Sequence, residues 1–183
     1  MSEHHLFERA LGARWVLLPE VTRRIHTVDP SIVLAGEATV DGAENLFGRL
    51  LARAFGFPKT AATVPARVTI ERVGETERWA RRYPTRVMRS VMTAADPSRS
   101  TIEEKMGPFR FLLRLEGSAL GIDMAPEVVS LWGAPLPLWI LLVVVATERA
   151  DADGRHLFDV HISRFLTGRL VHYCGWLRPV LPT

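Results

Sequence analysis

Residues 67–94 read RVTIERVGETERWARRYPTRVMRSVMTA, and this stretch decides the fold class. Apolar and polar side chains alternate in three short runs, which Gly74-Glu75 and Pro84-Thr85 separate. Alternation with a period of two is typical of half-buried β-strands, and glycine and proline are typical of tight turns. Because such turns are too short to hold a crossover helix, the stretch predicts three antiparallel strands in sequence order.

The same pattern continues toward the C-terminus, with turn residues at spacings of roughly 8 to 12 residues, which favours an all-β sandwich or barrel. About ten short strands in a flat sheet would leave two unpaired edges, which closure into a barrel removes. We therefore expect a mainly β (α+β) fold: an antiparallel up-and-down meander or barrel of about 8–10 strands, lipocalin- or fatty-acid-binding-like, preceded by N-terminal helices. The predicted strands are Arg67–Val73, Thr76–Tyr83, Arg86–Ala94, Thr101–Met106, Phe109–Glu116, Leu120–Met124, Val128–Leu131, Trp139–Glu148, Arg155–Arg164 and Arg169–Leu177.

The N-terminal third of the sequence has a different pattern. Apolar side chains at helical spacing within residues 4–27 predict two short helices that meet at Leu18-Pro19, since proline interrupts a helix. Ser31–Val40 is rich in small and β-branched residues, which suits a strand. A further amphipathic pattern predicts a helix over Gly42–Phe55.

Length and composition indicate an ordinary globular protein. A chain of 183 residues, of which 48% are hydrophobic, can bury about 70% of its unfolded surface. We expect a single domain over residues 1–183, with a mostly helical layer in residues 1–60 and the meander in residues 61–183. The cations behind the net charge of +3 are scattered, with Arg23-Arg24 and Arg81-Arg82 as the longest runs. Because nucleic-acid binding needs a basic patch or stripe, we expect no nucleic-acid partner.

Several features favour a cytoplasmic location. Cys174 is the single cysteine of the sequence, so an intramolecular disulfide is excluded and a reducing compartment fits. Residues 1–10 lack the charged-then-apolar pattern of a signal peptide. The most apolar run, Leu136–Ala146, is shorter than the roughly 20 residues that span a bilayer, so we expect no membrane span.

The last predicted hairpin brings several polar side chains onto one face. If its turn is Leu166-Thr167, His161 pairs with His172 and Asp159 pairs with Cys174. Alternation then places these four side chains on one face of the hairpin, while the residues between them lie on the other.

Two histidines and a carboxylate on one face could bind a metal or perform acid–base chemistry near neutral pH. The simpler interpretation of Asp159, His161 and His172 is a solvent-facing polar side of a half-solvated sheet. A turn at Thr167-Gly168 would instead place Ser163 opposite His172 and move the histidines apart.

A second set of residues meets across three predicted strands. The turns near Pro84 and Pro97 place Trp79 opposite Ser90 and Ser90 opposite Glu104, so that Arg81 becomes a diagonal neighbour that can reach Glu104. A buried Arg–Glu pair marks either structure or a polar anchor for a ligand. The structural ion pair is the simpler of the two interpretations.

Glu148 ends the most apolar predicted strand. A solvated charge at the strand end is the simpler interpretation, and a position at the mouth of a barrel is the alternative.

The known sequence motifs for catalysis do not indicate a reaction for this sequence. The sequence has no Gly-x-Ser-x-Gly elbow, no Gly-x-Gly-x-x-Gly loop, no Cys-x-x-Cys and no His-Glu-x-x-His. We therefore expect no cofactor and no metal, and the catalytic residues of any reaction stay unknown.

Scattered positions over nearly the whole chain carry a family resemblance. The last predicted hairpin contains Phe158-Asp159-Val160, Ile162, Gly168, Leu170-Val171, Tyr173 and Gly175-Trp176-Leu177. Earlier matching positions are Leu11-Gly12, Leu18-Pro19, Ile25-His26, Gly56-Phe57-Pro58, Glu77, Trp79, Arg81, Ser90, Glu103-Glu104, Gly107-Pro108 and Leu136-Pro137. With these positions the chain resembles the domain of unknown function 4166.

The resemblance implies a context more than an activity. Domains of that family are commonly fused after reductases that resemble saccharopine dehydrogenase, and their own activity is unassigned. This sequence departs from the fused arrangement, since it carries no dinucleotide-binding half. The resemblance gives more weight to Trp79, Arg81, Glu104, Asp159 and Tyr173 than to the histidine pair, and it names no catalytic residue.

The sequence thus predicts a domain that binds an apolar or lipid-like small molecule, oriented by a few inward polar groups, with Arg81 and Glu104 as the first candidates. One alternative is an acid–base enzyme that uses Asp159, His161 and His172. Another is a non-catalytic partner of a separate Rossmann-type reductase that resembles saccharopine dehydrogenase. The candidate ligand-binding residues are Trp79, Arg81, Ser90, Glu104, Asp159, His161, His172 and Tyr173.

Overall fold

The computed structural model describes residues 4–43, 45–54, 60–136, 142–164 and 168–180. The strands within them are β1 (Ser31–Gly42), β2 (Ala61–Val73), β3 (Thr76–Tyr83), β4 (Arg86–Asp96), β5 (Thr101–Met106), β6 (Phe109–Ser118), β7 (Gly121–Leu131), β8 (Ala134–Pro135), β9 (Leu142–Ala150), β10 (His156–Arg164) and β11 (Gly168–Pro179). The helices are α1 (Leu6–Leu11), α2 (Glu20–His26) and α3 (Leu46–Ala54), and 3₁₀ turns cover Gly12–Leu17 and Pro97–Arg99.

Ten of these strands close into an antiparallel barrel. Each strand from β1 to β7 pairs with the next one, and β9, β10 and β11 pair in the same way. Two pairings between strands that are not consecutive complete the ring: β7 with β9, where Ile122 is opposite Glu148, and β1 with β11, where Ala38 is opposite Gly175. The short strand β8 extends the sheet beside β7. The predicted mainly β, lipocalin-like up-and-down barrel is confirmed.

The N-terminal helices cover one end of the barrel, which we call the helical end. The predicted break between two helical segments is confirmed, because Leu18-Pro19 is extended between the first 3₁₀ turn and α2. Phe7 of α1 and Ile25 of α2 are buried in the apolar core. Arg9 of α1 donates a hydrogen bond to the carbonyl of Glu75 (3.3 Å), which ties the helix to the turn between β2 and β3.

The third helix, α3, connects β1 to β2 at the opposite end of the barrel and contacts β11. A Cβ atom at Gly48 would lie 3.6 Å from the side chain of Leu170, so the helix packs closely on that strand. The helix starts later than the predicted Gly42–Phe55, because Gly42 still belongs to β1 and is opposite Val171.

Most predicted strand limits agree with the structure to within two residues, but β2 begins at Ala61, six residues before the predicted start at Arg67. β3 and β5 have the predicted bounds, and the strand at Ser31–Val40 is confirmed as β1. The start of the predicted strand Trp139–Glu148, the turn Leu166-Thr167 and the end of the predicted helix at Phe55 lie outside the described residues.

β7 is one continuous strand, whereas the sequence predicted two strands with a turn at Ala125-Pro126. The pairing of β7 with β6 shifts between Leu112 and Leu113, so that Glu127 is the extra residue of a β-bulge. Proline, which has no N–H to donate, is tolerated at such a bulge. The Glu127 carboxylate forms an ion pair with Arg114 of β6 beside it.

The register between β4 and β5 differs from the predicted one by two residues. The sequence predicted Ser90 opposite Glu104, but Met92 holds that position. The reason is a longer connection, which contains the 3₁₀ turn Pro97–Arg99 and a bulge before Asp96. A shift of two residues preserves the face, so Glu104 still points to the same side of the sheet as Ser90.

The closing pair β1–β11 depends on a glycine. A Cβ atom at Gly175 would lie 2.0 Å from the carbonyl oxygen of Glu37, and backbone cannot move aside without breaking the ladder. We expect Gly175→Ala to lower the free energy of unfolding by about 1–3 kcal/mol, the usual cost of overpacking. Urea unfolding followed by tryptophan fluorescence measures this change.

Gly117→Ala is the matched control, because its new methyl group would first meet a side-chain carbon of Leu11, at 3.1 Å, which can rotate away. Equal stability losses in the two variants would contradict the role of Gly175 in barrel closure.

Candidate functional site in the barrel interior

The barrel encloses a cavity of about 110 Å³. All ten barrel strands contribute side chains to its wall, and Phe7 and Ile25 close it at the helical end. A concave, mostly apolar space with a few polar groups is the usual form of a small-molecule site. The apolar part of the wall includes Leu34, Val68, Met92, Phe111, Val144 and Ile162.

Arg81 of β3 holds a guanidinium group at the wall of this cavity. Its Nη1 donates a hydrogen bond to Ser90 Oγ (2.9 Å), its Nη2 lies 3.2 Å from Glu104 Oε1, and its Cζ lies 4.8 Å from the Trp79 ring centre. Burial alone would lower the pKa of Arg81, but Glu104, Tyr173 and Tyr83 together outweigh burial, so the pKa is raised. The predicted contact between Arg81 and Glu104 is confirmed, and the pair is partly buried, with side chains 15% and 12% exposed.

Two buried tyrosines, Tyr83 of β3 and Tyr173 of β11, also line the cavity. Their ring centres lie 6.2 Å apart in an edge-to-face arrangement. Burial raises the pKa of Tyr83 to about 12 and raises the pKa of Tyr173 as well. Both hydroxyl groups therefore stay protonated at neutral pH and can donate a hydrogen bond to an acceptor on a ligand.

A second polar cluster lies at the helical end of the cavity. Glu148 Oε2 of β9 lies 2.6 Å from His26 Nε2 of α2 and 3.6 Å from His156 Nε2 of β10. Burial alone would raise the pKa of Glu148, but the two imidazoles beside it lower the pKa to about 2. Next to this cluster, Trp79 Nε1 donates to Glu77 Oε2 (3.0 Å), and burial raises the pKa of Glu77.

This cluster corrects the prediction for Glu148. The solvated charge at a strand end is wrong, because β9 continues to Ala150 and the residue is only 8% exposed. The alternative, a position at the mouth of the barrel, is closer to the observed place at the helical end of the cavity. Its partner His26 lies 122 residues away in the sequence, so strand patterning could not reveal the contact. His156 was also missed, although the two-residue period that turns Phe158 inward extends back to it.

The polar residues of the last hairpin lie on the outer face of the barrel. The predicted register is confirmed, since His161 is opposite His172 and Asp159 is opposite Cys174. His172 Nε2 lies 3.1 Å from Asp159 Oδ1, and the two imidazole ring centres are 5.7 Å apart. Asp159, His161 and His172 are thus brought together, but away from the cavity. The candidate residues that gather around the cavity are Trp79, Arg81, Ser90, Glu104 and Tyr173.

Fold and cavity define the class of this protein as a closed up-and-down antiparallel barrel with an apolar interior and a few inward polar groups. A family model described as "Domain of unknown function (DUF4166)" matches residues 18–177, and the chain belongs to this family. No curated protein and no solved structure matches the chain. None of the helices that the structure describes has the length and apolar character needed to cross a membrane.

The buried Glu148 predicts acid lability. Its folded pKa of about 2 lies below the ordinary value of 4.5, so its stabilising effect is complete above pH 4.5 and is lost as the pH falls toward 2. We expect Glu148→Gln to lower the free energy of unfolding at pH 7 by about 3 kcal/mol at most, and to flatten the loss of stability between pH 4.5 and 2. Urea unfolding at a series of pH values measures both effects.

Glu116→Gln is the control, because Glu116 lies on the exposed face of β6. If the profile of the Glu148→Gln variant runs parallel to that of the wild type, the carboxylate does not stabilise the fold in this way.

Proposed function

We propose that this protein binds a small, largely apolar molecule inside the barrel. The observation that carries the proposal is the cavity itself, which has an apolar wall and the partly buried Arg81–Glu104 pair beside it. An empty space in a core forfeits dispersion contacts and lowers stability. A cavity that persists together with inward polar groups therefore supports a ligand.

The size of the cavity and the charges around it limit the class of ligand that can bind. About 110 Å³ approaches the roughly 150 Å³ of an engineered apolar cavity that admits benzene, so one ring or a short branched chain fits. The Arg81 charge is paired with Glu104, and the Glu148 carboxylate is hydrogen-bonded to the His26 imidazole, which favours a neutral ligand. A guanidinium has five N–H donors, more than its contacts with Ser90 and Glu104 use, so a ligand oxygen has a partner at this position.

Filling the cavity tests the proposal. Val144 and Val145 are neighbours on β9, but Val144 lines the cavity whereas Val145 is 47% exposed on the outer face. We expect the wild type and the Val145→Trp variant to bind fluorobenzene, and the Val144→Trp variant not to bind it. Broadening and shift of the ¹⁹F NMR signal during titration measure binding, and circular dichroism verifies that both variants fold. Binding by the Val144→Trp variant, or no binding by the wild type, would count against a site in the barrel.

The polar anchor is tested by replacing both members of the ion pair. We expect the wild type to prefer 4-fluorophenol over fluorobenzene by roughly tenfold, the worth of about one hydrogen bond. The double variant Arg81→Met with Glu104→Met should lose this preference and keep its affinity for fluorobenzene. Removing both charges avoids an unpaired buried ion, and such a replacement is often neutral for stability. A preference that survives in the double variant would assign the anchor to other residues.

The two alternative functions stay predictions. The contact between His172 and Asp159 supports an acid–base pair, and a coupled titration of the histidines by NMR would favour it. A non-catalytic partnership with a separate reductase of the saccharopine-dehydrogenase type predicts a stable complex, which a pull-down with the full chain and an oxidoreductase readout would detect.

A further inference from the structure

We propose that Asp159, His172 and Cys174, which we call the outer-face cluster, bind a divalent transition-metal ion of the Zn²⁺ type. One donor atom from each residue lies within 4.8 Å of the other two. Asp159 and Cys174 are directly opposite each other on β10 and β11, and His172 lies two residues before Cys174 on the same face. Carboxylate oxygen, imidazole nitrogen and thiolate sulfur are the donor types with which proteins hold Zn²⁺.

The spacing of the donor atoms suits a tetrahedral ion. With metal–ligand bonds of about 2.0–2.3 Å, ligand atoms around Zn²⁺ stand roughly 3.5 Å apart. Asp159 Oδ1 and His172 Nε2 already lie 3.1 Å apart, so side-chain rotations alone can complete the geometry. The backbone is fixed, because both β10 and β11 are paired on each side within the barrel.

The third strand of the array, β1, places a carboxylate beside the proposed ligand His172. Asp41 of β1 is opposite His172, and its Oδ2 lies 3.7 Å from His172 Nδ1. Histidines that bind a metal usually donate their other ring N–H to a carboxylate, which fixes the tautomer and the ring orientation. Asp41 is therefore within reach of Nδ1 after a small side-chain rotation, while Nε2 is directed at Asp159. The site thus extends over β1, β11 and β10 as one array.

The donor set also selects the metal. Thiolate and imidazole ligands favour Zn²⁺ and Co²⁺, whereas Mg²⁺ and Ca²⁺ prefer oxygen ligands alone. His161 lies beside the cluster, opposite His172, and water or this imidazole takes the fourth position. Local sequence motifs gave no indication of a metal, because Asp159 and His172 are 13 residues apart in the sequence. Only the predicted strand pairing offered a metal as one interpretation of these residues.

Titration of the full-length, reduced and chelator-washed protein with Co²⁺ tests the site. We expect one equivalent of Co²⁺ to produce a thiolate-to-cobalt charge-transfer band in the near ultraviolet together with visible bands of tetrahedral Co²⁺, and Zn²⁺ to abolish both. Cys174→Ser should remove the charge-transfer band. Asp41→Asn should weaken binding roughly 10- to 100-fold, as the loss of a supporting carboxylate usually does.

His4→Ala is the matched control, because His4 is an exposed histidine that pairs with Glu8 outside the cluster. It should leave the titration unchanged. Unfolding midpoints near that of the wild type will show that the variants fold, which the outer-face position favours. A wild type without the charge-transfer band, or a Cys174→Ser variant with the same spectrum and affinity as the wild type, would overturn the proposal, which does not rest on ligand binding in the cavity.

Discussion

The pairings of β1 with β11 and of β7 with β9 are the constraint on which the rest of the structure depends. Hairpins between consecutive strands would give only an open sheet with two exposed edges and two faces of similar environment. The closing pairs turn one face into an interior and the other into a rigid outer surface. At the β1–β11 pair the backbones approach so closely that a Cβ atom at Gly36 would lie 1.9 Å from the carbonyl oxygen of Trp176.

Closure also explains the pairing of the buried charges. A charge taken out of water without a partner costs several kcal/mol, so each inward charge needs an opposite charge or a hydrogen-bond donor nearby. Arg81 finds Glu104 two strands away, across β4, and Glu148 finds His26 on the helix that covers the barrel end. The helical end is thus more than an apolar cover, since α2 supplies the group that makes a buried carboxylate on β9 tolerable.

The sequence predicts those strand faces and pairings that depend on local alternation. It does not predict contacts between distant segments or the register beyond a bulge. His161 opposite His172 was predicted from strand alternation, and the pairing holds although the ladder of the last hairpin shifts between Ile162 and Ser163. The bulge and the 3₁₀ turn between β4 and β5 have no recognisable sequence pattern, and because of them Glu104 is opposite Met92 and not Ser90. Glu104 still lies on the predicted face of the sheet, since a register shift of two residues preserves the face. The inward face of Glu148 follows from the period of two that it shares with Val144, but its contact with His26, 122 residues away, was not predictable.

In the last hairpin, alternate side chains of the same strand point to the cavity and to the outer face of the barrel. Tyr173 lines the cavity, while its neighbours His172 and Cys174 belong to the outer-face cluster. A side chain on one face cannot reach the other face through a paired barrel wall, so the proposed ion outside and the proposed ligand inside would contact different residues of the same strand. They share only the backbone of β11, which the barrel fixes on both sides. Any coupling between the two would have to pass through a strand that closure holds rigid, and for this reason we expect the two faces to act independently.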